Sequence, residues 1–150
     1  MQLSPPHNAQ RGFSLLESLI AMVVLAIGLL GMAELQTTAM RLNSSAYLRT
    51  QATNLAYDII DRMRANRQQA LAGAYDGQDL ATDPQCPAAS AASGALAARD
   101  VQHWRAALAC TLPRGTGSIV RNDDSFTVTV QWDDSRGEDP AQQFVMTSSL

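Results

Sequence analysis

The chain has 150 residues, and its 11 basic and 14 acidic side chains give a net charge of −3. That length holds one small domain beside an apolar segment, and the acidic balance offers no basic footprint for nucleic acid. The chain carries no G-x-S-x-G, no phosphate-binding glycine loop and no zinc-type histidine pair, so the residues point to neither an enzyme nor a cofactor.

In chain order, the first predicted element is a short polar leader, residues 1–12. An apolar segment follows at residues 13–33, and its 21 residues suffice to span a hydrocarbon core of about 30 Å. Its one charge is Glu17, and an ionisable side chain in such a segment is a functional hypothesis with a partner to be named. Arg11 and the starting amine favour a cytoplasmic N-terminus with the rest of the chain outside. Gly28 and Gly31 are three apart, a spacing that lets membrane helices approach closely. Two alternatives fit part of this pattern. An ordinary signal peptide would use Leu19 to Leu30 as its apolar region and Gly31-Met32-Ala33 as its cleavage site, leaving Glu34 as the new N-terminus. A plain membrane anchor would use the same residues uncut.

The run Gly12-Phe13-Ser14-Leu15-Leu16-Glu17 resembles the GF(S/T)LLE junction of type IV prepilins. The stretches LAIGLLGMAELQTTAMR, AYLRTQATNLAYDIIDRMRANR, WRAALACTLP and VTVQWDD are similar to minor pilins of the PilV class, the type IV pilus modification proteins. This resemblance implies cleavage after Gly12 by a prepilin peptidase, N-methylation of Phe13, and an assembly role for Glu17 as the fifth residue of the mature chain. There it would neutralise the Phe13 amine of a neighbouring subunit, and an otherwise unpaired buried charge is costly. The pairing would also fix axial register between subunits. The resemblance further implies partners among the other minor pilins and the major pilin. It implies a precursor that waits in the inner membrane, single-pass, with a periplasmic head.

Beyond the apolar segment, no proline interrupts the chain until after Asp83. Residues 34–72 are expected to continue the helix as an amphipathic half. Leu48, Ala52, Leu55, Ile59, Met63 and Ala70 make one apolar stripe, and Asp58 pairs with Arg62 at i,i+4. The whole helix would run for about 60 residues, roughly 90 Å. Arg62, Arg64 and Arg67 read as a solvated basic face.

Residues 73–150 form the expected globular head. Ala72 to Ser93 reads as a long connection rich in Gly, Ala, Asp, Pro and Ser. A short helix is expected to start with Asp100 as N-cap, to bury Val101, Trp104 and Leu108, and to stop at Pro113 and Gly115. Strands are expected at Ser118 to Arg121, across Phe126, Val128, Val130 and Trp132, and around Phe144 and Met146, with a turn at Asn122-Asp123-Asp124. Cys86 and Cys110 are the only cysteines, and in an exported chain such a pair favours a disulfide. Two free thiols or a zinc half-site are the alternatives, but His103 beside Cys110 falls short of four metal ligands. Asp133, Asp134, Glu138 and Asp139 crowd one connection, which reads as a solvated loop, with calcium as a weaker alternative.

The fold class expected is therefore α+β and pilin-like, a long N-terminal helix with a membrane-spanning apolar half packed on a small antiparallel sheet. The function the resemblance implies is a minor pilin that enters or primes a type IV pilus. The rivals are a type II secretion pseudopilin and a membrane-anchored periplasmic binding or adhesion module that never polymerises.

Overall fold

The computed structural model describes residues 14–82, 84–87 and 93–150. It contains a 51-residue helix α1 (Leu15–Ala65), a short α2 (Arg67–Leu71), α3 (Leu96–Thr111) and strands β1 (Thr116–Asn122), β2 (Ser125–Trp132) and β3 (Gln142–Ser149). The architecture is α+β, a long N-terminal apolar helix and a small antiparallel sheet of three strands in the order β1-β2-β3. Two compact units divide the chain, one ending at Leu42 and the other spanning Asn43–Leu150.

In the first unit, α1 shows no apolar stripe. Every large apolar side chain from Leu15 to Leu42 is between 53% and 82% exposed. A helix apolar all round needs lipid or protein around it. By length and composition α1 can cross a membrane. The helix runs unbroken through Ala33 and Glu34, the junction at which a signal peptide would have been cut.

In the second unit, α1 becomes amphipathic. Ala52, Ala56, Ile59, Ile60 and Met63 are buried and Leu48 and Leu55 partly so. The stripe read from the sequence is present, and Ala56 and Ile60 widen it by a second row. The helix is shorter than expected, since Asn66 leaves helical geometry (φ −114, ψ 40). Its side-chain amide donates to Tyr75 Oη at 3.2 Å, the kind of side-chain bond by which Asn competes with helix. Helical hydrogen bonding resumes for five residues in α2. It then stops in a Schellman motif, with Gly73 at φ +90, Gly73 N donating to Ala70 O and Ala74 N to Gln69 O.

The connection to α3 is pinned along the free edge of β1. Ile119 N donates to Gln78 O at 2.9 Å, and Ala81 N donates to Thr116 Oγ1 at 2.7 Å. Helix α3 begins at Leu96 with Ala95 as N-cap, so the expectation of an N-cap at Asp100 is corrected. Alanines and leucine around Ala95 to Ala98 favour helix without a side-chain cap, and the Asp100 carboxylate is engaged elsewhere. The predicted buried side of α3 (Val101, Trp104, Leu108) is buried. Trp104 Nε1 donates to the Leu55 carbonyl at 2.9 Å, fastening α3 to α1. Trp104 also explains Gly117 on β1. A Cβ there would come within 2.5 Å of the indole, so the strand reaches the helix only with glycine at this position.

Strand β2 alternates as read, with Phe126, Val128, Val130 and Trp132 facing the core. Asn122 pairs with Ser125 across a tight turn in which Asp123 takes φ 54. Strand β3 contributes Phe144 and Met146 to the rim of the same core.

Candidate processing and assembly site

The site read from the sequence begins at the mouth of α1. Gly12 and Phe13, the expected cleavage pair, lie outside the described residues. Ser14 precedes the first turn and serves as its cap, with Glu17 N donating to Ser14 Oγ at 3.3 Å and to Ser14 O at 3.0 Å. Glu17 is thus the fourth residue of an S-x-x-E pattern, the spacing of a capping box. That signal was available in the sequence, and it gives Glu17 a local reason to stand in the first turn, where the helix dipole favours a negative charge. Among the described residues none forms an ion pair with Glu17. The carboxylate stands at the start of an apolar surface with no other charge before Glu34. At Gly28 and Gly31 an added Cβ would meet nothing within 4 Å, so the helix surface there is open for a close neighbour.

The second predicted pair is joined, since Cys86 and Cys110 form a disulfide. It ties the connection before α3 to the last turn of that helix. In the chain-entropy picture, closing a loop of this size is worth about 3 kcal/mol.

The head is also held by a polar network that the sequence reading missed beyond its one helical pair. Tyr75 Oη donates to Asp100 Oδ2 at 2.6 Å, and Arg62 Nη1 donates to Asp100 Oδ1 at 3.4 Å. Arg62 Nε also bonds Asp58 Oδ2 at 2.9 Å, the predicted i,i+4 pair. Burial pushes the Tyr75 phenol up to about 12, and its bond to Asp100 works in the same direction. The Arg62 guanidinium is raised chiefly by its hydrogen bond to Asp58. The tyrosine is not on the predicted stripe. Its only sequence signal is an aromatic residue two positions past a glycine stop.

The basic face acquires partners on β3 and just past its end. Arg64 Nη2 donates to Ser148 Oγ at 2.9 Å, and Arg67 Nη2 donates to the Leu150 carbonyl at 3.0 Å. In the acidic connection, Asp133 Oδ1 accepts from Ser135 N and Ser135 Oγ, each at 3.0 Å. Its carboxyl sits below the usual range, first because of the Gly137 amide and then because of Ser135. Asp134 accepts from Ser45 Oγ at 2.9 Å. Among the described residues no three metal-ligating side chains come together.

With this geometry in place, comparison with known proteins adds one match. Residues 7–33 match the prokaryotic N-terminal methylation motif, which is the type IV pilin-like prepilin signal. Neither a curated protein nor a solved structure matches the chain. The match covers under a fifth of the residues. It includes Gly12, Phe13 and Glu17, and it ends at Ala33 within the exposed apolar part of α1. The chain carries a prepilin-type methylation signal, continuous with a helix able to cross a membrane.

Proposed function

We propose that this protein is a minor pilin of the PilV kind, a structural subunit without catalytic function. The precursor is held in the inner membrane by the apolar part of α1, with its head in the periplasm. A prepilin peptidase cuts after Gly12 and methylates Phe13. The mature chain then joins other minor pilins and the major pilin, entering or priming the filament. Glu17 meets the Phe13 amine of a neighbour, which offsets the cost of burying either charge alone and selects one axial stagger. In this reading residues 1–12 are leader, 13–33 filament core, 34–72 the amphipathic continuation and 73–150 the head.

One observation carries the reading. The prepilin-type motif over residues 7–33 runs directly into a helix whose apolar side chains are all exposed up to Leu42. Such a surface requires partners outside the chain.

Mass spectrometry of the mature N-terminus tests the processing step. The expected product starts at a methylated Phe13, and a product starting at Glu34 would make the chain an ordinary secreted protein. The assembly step is tested with Glu17→Ala, counted against surface pili. Normal cleavage with lost piliation is expected. Normal cleavage with unchanged piliation would favour an anchored periplasmic module.

A further inference from the structure

The head contains a cleft of about 460 Å³ that the pilin reading does not use. Its size falls within the range of small-ligand sites. One side is the outer face of α3, where Ala106 and Ala109 supply small apolar surface between His103 and Arg105. The other side is the strap that carries Pro84 and Pro87. The disulfide from Cys86, between those two prolines, to Cys110 on α3 holds the strap in place. The cleft is therefore shaped by a covalent tie as well as by packing.

The chain has 14 acidic residues, yet no carboxylate is among the described residues that line the cleft. Among those described residues the titratable side chains are His103 and Arg105. Arg105 Nη2 donates to the Asp79 carbonyl at 3.1 Å, which anchors the guanidinium at the rim. That bond uses one of five N–H groups and leaves a fork suited to a carboxylate.

We propose that this cleft binds a small organic acid, one carboxylate on a compact branched apolar body. The carboxylate sits on Arg105, the apolar body lies against Ala106, Ala109 and the prolines, and His103 flanks that body on the opposite side. Such a group is either a free acid or the C-terminal residue of a peptide. The proposal does not depend on leader cleavage or on filament entry.

The test uses the full-length chain in detergent micelles. Its probes are 4-methylpentanoate, N-acetyl-leucine and the neutral N-acetyl-leucinamide. The imidazole Cε1–H signal of His103 is followed by NMR, with His7→Ala removing the only other histidine signal. Saturable shifts with the acids and none with the amide are expected. Binding of N-acetyl-leucine alone identifies a peptide C-terminus, and binding of 4-methylpentanoate alone identifies a free acid. Arg105→Gln is expected to weaken binding at least tenfold. Ala109→Leu, which fills the cleft and leaves every charge in place, is expected to abolish it. The Trp104 indole signal reports in each variant that the head remains folded. Equal binding of the amide, insensitivity to Arg105→Gln, or no shift at millimolar acid would each overturn the proposal.

Discussion

The two units of this chain share one helix and use it in opposite ways. Up to Leu42, α1 exposes leucine, isoleucine, valine and methionine on every side. From Leu48 to Arg64 the same helix sorts its residues, with Ala52, Ala56, Ile59, Ile60 and Met63 inside and Asp61 and Arg64 outside. Backbone geometry is common to both stretches, so the difference lies in the partner for which each side-chain pattern is written. The head segment finds its partner within the chain. The first segment must find its partner in lipid or in other subunits. It follows that matched substitutions in the two units should report to different assays.

The largest expected effect comes from removing a core aromatic. Trp104 is fully buried, lies close to Gly117 and bonds the Leu55 carbonyl. Trp104→Ala should cost about 3–5 kcal/mol, chiefly through the cavity left in the core and partly through the lost hydrogen bond to Leu55. Thermal or denaturant unfolding of the head, followed by the near-ultraviolet signal of Trp132, measures it. Leu29→Ala removes apolar atoms from a side chain that is 58% exposed. It should leave the head's transition within about 0.5 kcal/mol. A large shift from Leu29→Ala would mean that the first unit has an intramolecular partner after all.

A smaller effect is expected from the phenol that joins α3 to the end of α1. The folded Tyr75 phenol is raised to about 12, above its ordinary value of 10.0. A group whose pKa is raised on folding contributes stability that is fully present below its unfolded value. That contribution is lost as pH climbs through the folded value. The head should therefore lose stability between pH 10 and about 12. Tyr75→Phe should cost about 1–2 kcal/mol at neutral pH, where Asp100 is left short of a donor. It should also flatten the alkaline limb. Urea midpoints from pH 8 to 11.5, wild type against variant, separate the two effects. Parallel alkaline limbs would remove Tyr75 as their cause.

Legibility followed the range of the interactions. Where a residue's role is set by near neighbours, the sequence displayed it. The period-two run of β2 is local, as are the stripe on α1, the Asp58–Arg62 pair and the turn at Asp123. The GFSLLE junction is also local, and it is the part that a family comparison independently matches. The S-x-x-E cap at Ser14 and Glu17 was equally local and equally visible. Asp100 shows the limit. Read alone it is a good N-cap, but its carboxylate is engaged by Tyr75, 25 residues away, and the helix starts before it. Asn66 ends α1 for the same reason, since its amide is drawn to the same phenol. The cleft beside α3 was invisible because its two sides meet only through a disulfide and a folded connection.

The smallest effect belongs to the acidic connection, and it bears on the same distinction at the surface of the head. Asp133 is partly exposed, and its depressed pKa comes chiefly from donors within its own loop, first the Gly137 amide and then Ser135, with the charge of Arg114 adding to them. A carboxylate whose pKa is depressed on folding contributes stability above its unfolded value and loses it as pH falls through the folded one. Solvent screens a bond of this kind, so the contribution is modest. Asp133→Asn should shift the acid limb of head unfolding slightly and leave neutral stability nearly unchanged. The Asp133 carboxyl, titrated by carbon NMR, should show a midpoint below that of an ordinary aspartate. Because those donors are local to the loop, that midpoint should persist in Leu29→Ala. It should move in Ser135→Ala, which removes the hydroxyl bond and keeps the backbone one. A midpoint unmoved in Ser135→Ala would leave the backbone amides and the charge of Arg114 as the causes of the depression.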